Sequence, residues 1–167
     1  MKTTKPKKPV SKYVLLTIAI LIVGLGYFMG SVSQISLEED ERLSVMDSTE
    51  FKNELQTMIF ELRLEHPDIV YAQAQLESAG WTSPVFRENH NMFGMKAPWS
   101  RITTCIGVNK GHARYISWRY SLLDYAIWQI VNGRGLTDEE YFDRLRSVYA
   151  EDEEYIVKIK EIIRKNN

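Results

Sequence analysis

The chain has 167 residues, a formal net charge of −1 and one cysteine, Cys105. This length accommodates one domain with short extensions, and the lone cysteine excludes an intramolecular disulfide, so an apolar core must hold the domain together. The near-neutral charge excludes the strongly basic face that nucleic-acid binding needs, so we expect no nucleic-acid partner.

The N-terminal segment differs in composition from the rest of the chain. Lysines dominate the basic tail 1–12, an almost uncharged apolar run follows, and we expect a transmembrane helix over residues 13–32. The lysines keep their end in the cytoplasm, so the domain lies on the periplasmic or extracellular side of a single-pass protein of the cytoplasmic (inner) membrane. The alternative is a cleaved signal peptide, because Ser31-Val32-Ser33 has small residues at the spacing of a processing site.

A charged segment separates this apolar run from the domain. Residues 33–47 include consecutive charges from Glu38 to Arg42, and we interpret them as a polar linker or a short solvated helix. The domain itself is expected over residues 48–167. Asp47 with Glu50 gives an N-cap signal, and apolar residues at three- and four-residue spacing predict a first helix that ends near residue 65.

The next predicted helix carries the candidate acid. Pro67 fits its first turn, apolar residues at offsets of three and four lead to Leu76, and Gly80 is expected to end it in a left-handed conformation. Glu77 then lies at the edge of the apolar, buried face of this helix and near the negative end of the helix dipole. Partial burial and the helix dipole each raise the pKa of a carboxyl group, as a proton donor near neutral pH requires. The alternative is a solvated surface glutamate.

The remaining pattern predicts one small hairpin among helices. A short turn or helix covers residues 83–88, and the glycine-bounded, β-branched stretch within 97–115 predicts a hairpin. Three further helices are expected over residues 118–132, 138–149 and 153–165. Thr137 with Glu140 gives a capping box for the second of these. The predicted fold class is α+β, mainly helical, preceded by one N-terminal transmembrane helix.

Four ordered blocks of sequence carry a family resemblance. They are Ala72-Gln73-Ala74-Gln75-Leu76-Glu77-Ser78, Asn91-Met92-Phe93-Gly94-Met95-Lys96, Tyr115-Ile116-Ser117-Trp118 with Ser121-Leu122-Leu123-Asp124-Tyr125-Ala126, and Tyr149-Ala150-Glu151-Asp152 with Tyr155-Ile156. Together they resemble the bacterial endo-β-N-acetylglucosaminidases of the Bax-like and flagellar peptidoglycan-hydrolase group. The resemblance implies a lysozyme-like domain with a small β-hairpin lobe, peptidoglycan glycan strands as substrate and partner, and Glu77 as the catalytic acid.

In such a domain the sugar chain would lie in a groove between the helical body and the β-lobe. Aromatic faces suit the CH surfaces of pyranose rings, and amide groups can hydrogen-bond an N-acetyl group. The candidate substrate-binding residues are Trp81, Asn91, Phe93, Gly94, Trp99 and Trp118. The alternative for the aromatic residues is a place in the core, which the position of Trp118 on a helix favours.

The second catalytic group is not evident from the sequence. Glycosidases usually have a second carboxylate, whereas residues 89–123 contain neither Asp nor Glu. The substrate's own acetamido oxygen could act as nucleophile while Tyr115 orients it or stabilises charge, which makes Tyr115 the second candidate catalytic residue. Alternatively, Glu88 or Asp124 folds into the cleft, or the domain is an envelope-tethered module that binds glycan without turnover.

The histidines do not have the spacing of a metal site. His66, His90 and His112 form no pair at helical offset with a third ligand nearby, so we expect no metal. His66 is interpreted as a helix-junction residue, and His90 as a surface histidine or a residue of the cleft rim. No Gly-rich phosphate loop is present in the sequence, and we expect no cofactor.

Overall fold

The structure, a computed structural model, describes residues 12–45, 48–149 and 154–166. Within these ranges the elements in chain order are α1 (Lys12–Val45), α2 (Ser48–Glu61), α3 (Pro67–Glu77), α4 (Pro84–Asn89), β1 (Gly107–Asn109), β2 (His112–Arg114), α5 (Trp118–Asn132), α6 (Asp138–Tyr149) and α7 (Tyr155–Asn166). The predicted mainly helical α+β class with one small hairpin is confirmed. Residues 1–11 of the basic tail and the expected N-cap Asp47 lie outside the described residues.

The core is built around α3. Val70, Ala72 and Ala74 are completely buried there, and the helix packs against α2 on one side and α7 on another. Small residues in α3 let these neighbours approach closely, while α5 contributes Trp118 and Leu122 to the same core. Glu77, the last residue of α3, is therefore carried to the edge of this core by the most buried helix.

Helix α1 is continuous from Lys12 to Val45 and contains a stretch, Ile20–Arg42, that is long and apolar enough to cross a membrane. Most of its large apolar side chains are exposed, including Leu21, Leu25 and Phe28. This length, composition and exposure are compatible with a membrane span and equally with a signal sequence near the N-terminus.

Helix α1 continues through the described part of the charged segment, as far as Val45, so residues 33–45 are helical. This part of the helix contacts the domain. Glu39 is buried and accepts hydrogen bonds of 3.1 and 3.2 Å from Arg119. Asp40 accepts a bond of 2.8 Å from Nε2 of His90. Arg119 of α5 and His90, the residue after α4, thus supply hydrogen-bond partners to the acidic run, which sequence patterning alone could not predict.

Two helix ends use left-handed residues in different ways. Helix α2 ends at Glu61, before the expected residue 65, because Arg63 is left-handed (φ 51°) and the Leu64 amide bonds to the Ile59 carbonyl at 3.2 Å. This is a Schellman closure without glycine, which gives no sequence signal. At the end of α3, Gly80 is left-handed as predicted (φ 62°), but Ala79 already is (φ 50°).

The hairpin is shorter than the predicted β-branched stretch. β1 and β2 pair antiparallel with Asn109 opposite His112, and the intervening Lys110 and Gly111 both have positive φ, which is the pattern of a type I′ turn. Thr103 lies outside the strands, where its hydroxyl accepts a 3.1 Å bond from the Cys105 amide. Thr104 likewise donates to the Tyr120 carbonyl, at 2.6 Å. These hydroxyl contacts replace strand pairing.

The later helices follow the sequence closely. Helices α5 and α6 have the predicted bounds, and α7 begins at Tyr155. The Glu140 carboxylate accepts bonds of 2.8 Å from the Thr137 amide and 2.9 Å from its hydroxyl, so the predicted capping box is confirmed.

Candidate functional site

A cleft of about 810 Å³ opens where α3, the turn after α4, the hairpin and α7 meet. Its polar lining comes mainly from Glu77, Lys96, Arg101, His112, Tyr155 and Lys158. Among the described residues that line it, Glu77 is the one carboxylate. A cleft of this volume is in the range of ordinary ligand sites.

Glu77 is largely buried at the wall of this cleft. Burial raises the pKa of its carboxyl group, and two smaller effects oppose that rise. The Tyr155 hydroxyl donates a hydrogen bond of 2.8 Å to Oε1, and the charge of His112 also favours the ionised form. Because the pKa remains raised, the group is suited to carry a proton towards neutral pH.

Gly94 gives the other carboxylate oxygen its space. Its φ of +63° lies in the left-handed region, and a Cβ on this residue would be 3.3 Å from Oε2 of Glu77. The residue therefore meets two demands at once, a left-handed turn and a close approach to the acid. This predicted site residue is brought to the cleft, although it offers no side chain of its own to a ligand.

Asn91 holds the same turn together from within. Its side-chain amide donates bonds of 2.8 Å to the carbonyls of Met95 and Ala113, and its Oδ1 accepts from the Met95 amide at 3.1 Å. Since Asn91 is completely buried, these bonds use its polar groups inside the protein. The structure thus gives this residue a positioning contact with the glycine turn and the hairpin, and no exposure to the cleft.

Tyr115 is also buried, at 1% exposure, and its hydroxyl donates a 2.8 Å bond to Asp124. Burial, followed by the charge of Asp124, raises the pKa of Tyr115, so the phenol stays protonated. Tyr115 is not among the described residues that line the cleft. Its ring lies in the core and its hydroxyl is bonded to Asp124 of α5, so the catalytic role of Tyr115 stays a prediction.

Asp124 lies at the centre of a buried cluster of polar side chains beside the cleft. Arg101 donates to both of its carboxylate oxygens, at 2.6 and 3.0 Å. Burial opposes ionisation of Asp124, but the hydrogen bonds from Arg101, Tyr115 and Thr103 outweigh it and lower the pKa. Asp124 therefore remains a carboxylate that fixes Arg101, whose own side chain reaches the cleft wall.

Most of the predicted aromatic residues are structural. Phe93 and Trp118 are completely buried, with Phe93 stacked on Tyr125 at 4.0 Å between ring centroids. Trp81 packs edge-on against Phe51 at 5.0 Å. Trp99 is fully exposed on the segment between Lys96 and the hairpin. Neither Trp81 nor Trp99 is among the described residues that line the cleft, whose aromatic lining comes from Trp128 and Tyr155.

The alternative second carboxylates do not enter the cleft in the described part of the chain. Glu88 is exposed and pairs with Lys110 at 2.6 Å. Asp124 is enclosed by its partners.

His90 differs from its expected surface or rim position, because it is buried and bonds to the Tyr115 carbonyl at 3.1 Å. The position of His66 before Pro67 agrees with the predicted helix junction.

Two residues of the cleft were not predicted from the sequence as site residues. Tyr155 belongs to the last of the sequence blocks that carry the resemblance, and His112 lacks the spacing of a metal ligand. The first residue of a C-terminal helix gives no signal that it will meet an acid 78 positions earlier. For His112, the Lys110-Gly111 turn was a usable signal, since a type I′ turn fixes the start of the returning strand.

The family model for glucosaminidases, described as mannosyl-glycoprotein endo-β-N-acetylglucosaminidase, matches residues 60–167. That range, more than half of the chain, contains Glu77, the hairpin and Tyr155. Among solved structures, the catalytic domain of the autolysin Auto from Listeria monocytogenes is similar, with a TM-score of 0.51 and 21% identity over 77% of this chain and 92% of that chain. At this identity the likeness concerns the fold. No curated protein matches the chain.

The predicted resemblance to bacterial endo-β-N-acetylglucosaminidases is confirmed. The order of the sequence blocks, the α+β fold and the family match all agree with it. The chain belongs to the glucosaminidase family of glycoside hydrolases.

Proposed function

We propose that this protein hydrolyses β-1,4 bonds on the reducing side of N-acetylglucosamine in peptidoglycan, with protonated Glu77 as general acid. The observation that carries the proposal is a carboxyl group whose pKa is raised by burial, lying in a cleft large enough for sugar rings. As the glycosidic bond breaks, Glu77 donates its proton to the leaving oxygen. The autolysin name of the similar Listeria domain agrees with a cell-wall substrate.

Substrate assistance supplies the nucleophile in this proposal. Glu77 is the one carboxylate among the described residues that line the cleft, so those residues form neither the close nor the wider carboxylate pair of ordinary glycosidases. The acetamido carbonyl oxygen of the substrate attacks the anomeric carbon instead. Water then opens the cyclic intermediate, and the ionised Glu77 takes a proton from that water. Two displacements at one carbon retain its configuration.

In this proposal the domain acts outside the cytoplasmic membrane, attached through α1. The exposed apolar surface of Ile20–Arg42 supports anchoring, and peptidoglycan lies on that side of the membrane. The contacts of Glu39 and Asp40 with the domain support an attachment without a long flexible linker. The enzyme would then work on glycan strands close to the membrane surface.

A second candidate function is glycan binding without turnover. The same lack of a second carboxylate among the described lining residues favours it, because binding requires no nucleophile. The two functions are distinguished by catalysis alone, since both predict that the protein binds glycan strands.

The experiment measures release of reducing ends from purified sacculi by the full chain in detergent micelles. The wild type is expected to release N-acetylglucosamine reducing ends, identified by borohydride reduction and mass spectrometry. Glu77→Gln should lower the rate by about 10²–10⁴-fold, whereas the exposed Glu88→Gln should not. Glycan binding without release by the wild type would favour the non-catalytic function, and muramic acid reducing ends would contradict the proposed bond.

The configuration of the first product tests substrate assistance separately. We expect the first product to retain the anomeric configuration, which NMR measures on a soluble glycan fragment. An inverted product would contradict the acetamido nucleophile and leave the role of Glu77 as acid intact.

A further inference from the structure

The acetamido group that attacks in the proposed reaction needs a partner of its own. As its carbonyl oxygen bonds to the anomeric carbon, positive charge develops on the amide nitrogen, and an acceptor for the N–H stabilises that charge. Glu77 cannot take the proton of this N–H, because it must itself be protonated at this moment. Lys96, Arg101 and Lys158 line the same cleft, but lysine and arginine side chains have no acceptor.

His112 is the nitrogen base on the other wall of the cleft. It is half-buried at the first position of β2, where the type I′ turn of Lys110 and Gly111 fixes its backbone. A residue on a paired strand holds a side chain more rigidly than one on a loop. Its position therefore follows from the hairpin, which the sequence specifies through its glycine.

The ring orientation of His112 is also fixed. Nδ1 lies 2.8 Å from the Lys110 carbonyl oxygen, and because a carbonyl only accepts, Nδ1 must carry the hydrogen. In the neutral ring this leaves the lone pair on Nε2. Such a fixed tautomer is the arrangement in which one ring nitrogen is held by the protein and the other serves a ligand.

We propose that Nε2 of His112 accepts the N–H of the substrate's 2-acetamido group and takes its proton as the cyclic intermediate forms. This inference rests on the proposed function, whose nucleophile it supports. It makes His112 the second catalytic residue, in the role that a carboxylate has in other glycosidases.

The proton balance of the reaction is complete with these two residues. In the first step the acetamido oxygen bonds to the anomeric carbon, the glycosidic bond breaks, Glu77 protonates the leaving oxygen and His112 receives the amide proton. The product is a neutral oxazoline. In the second step His112 returns its proton to the ring nitrogen while Glu77 takes one from water. The water oxygen bonds to the anomeric carbon, and the acetamido oxygen leaves it.

The proton that His112 gains in this proposal comes with a compensating charge at Glu77. His112 interacts electrostatically with Glu77, and the Tyr155 hydroxyl donates to Oε1 of that carboxylate. When His112 has taken the proton, the newly ionised Glu77 is a favourable counter-charge. Proton donation by Glu77 and proton uptake by His112 therefore favour each other in this proposal.

The test compares His112→Ala and His112→Gln with Arg114→Ala, an exposed residue of the same strand that is not among the described cleft residues. The full chain in detergent is assayed on a soluble glycan fragment, after circular dichroism has established that each variant is folded. Both His112 variants should lower kcat by about 10²–10⁴-fold, with KM changed much less. Arg114→Ala should behave as the wild type.

Added imidazole provides a readout that a structural role would not give. It should restore the activity of His112→Ala at least tenfold and leave His112→Gln unaffected, because only the alanine variant has space for the base. Wild-type-like kcat in either folded variant, or no rescue by imidazole, would overturn the role of His112. Those results leave the proposed function intact as long as Glu77→Gln is inactive, whereas full activity of Glu77→Gln would overturn the proposed function itself.

Discussion

The Tyr155 hydroxyl donates a 2.8 Å hydrogen bond to Oε1 of Glu77, and so joins the first residue of α7 to the last residue of α3. Burial and this bond act on Glu77 in opposite directions. Burial favours the neutral acid, while the bond favours the carboxylate. Tyr155 therefore limits how far the pKa of the acid rises, and α7 participates in tuning the site.

Tyr155→Phe removes the bond and leaves the burial. The pKa of Glu77 should rise further, so the acid stays protonated to a higher pH and the alkaline limb of the kcat/KM profile moves upward. Rates of reducing-end release across a pH series measure this. Tyr120→Phe, a change on the exposed side of α5, is the control and should leave the limb in place. A limb that moves to lower pH in Tyr155→Phe would contradict the tuning.

Gly94→Ala tests the space beside the acid. The φ of +63° costs an alanine about 1–2 kcal/mol, and the new Cβ would also lie 3.3 Å from Oε2 of Glu77. Gly80→Ala is a matched control, because its φ of +62° imposes a similar strain with open space around the Cβ. Urea denaturation should show a similar loss of stability in both variants. Only Gly94→Ala should lose activity; equal activity losses would show that backbone strain alone is responsible.

Asp124→Asn should destabilise the domain by about 3–5 kcal/mol, because it removes the charge that compensates Arg101 in a buried site. Tyr115→Phe removes one hydrogen bond from the same carboxylate and should cost less, about 1–3 kcal/mol. The free energy of unfolding in urea measures both. A smaller loss in Asp124→Asn than in Tyr115→Phe would contradict the importance of the ion pair.

The same carboxylate gives the stability a defined pH dependence. Because the pKa of Asp124 is lowered by folding, its contribution is present above the unfolded pKa and is lost as the pH falls through the folded pKa. Acid titration of the wild type should therefore show a loss of stability over that range which is reduced in Asp124→Asn.

Arg119→Ala tests the attachment of α1 to the domain. Arg119 bonds to the buried Glu39 and to Glu54 of α2, so its loss removes the cation beside Glu39, while Glu54 keeps its 3.0 Å pair with Arg42. Hydrogen exchange over residues 33–45 should become at least tenfold faster, while exchange in α3 should not change. Arg146→Ala, which breaks an exposed pair with Asp143, is the control. Unchanged exchange in Arg119→Ala would exclude these ion pairs as the attachment.

The sequence predicted the elements whose signals are local. The bounds of α5 and α6, the capping box of Thr137 and the start of α3 at Pro67 all follow from periodicity, caps or proline geometry within a few residues. The end of α2 was wrong because Arg63 adopts a left-handed conformation without glycine. Thr103 and Thr104 were expected in a strand, but their hydroxyls bond to nearby backbone groups instead.

By itself the sequence determined that Glu77 ends an apolar helix, that a glycine turn and a hairpin follow, and that these blocks belong to one family. The tertiary structure decided which side chains surround Glu77. Tyr155 and His112 lie at the cleft, whereas Phe93, Trp118 and Tyr115 lie in the core. The physical reason is that burial and hydrogen bonding join residues far apart in the chain, such as the 78 positions between Glu77 and Tyr155, and spacing along the chain does not record those partners.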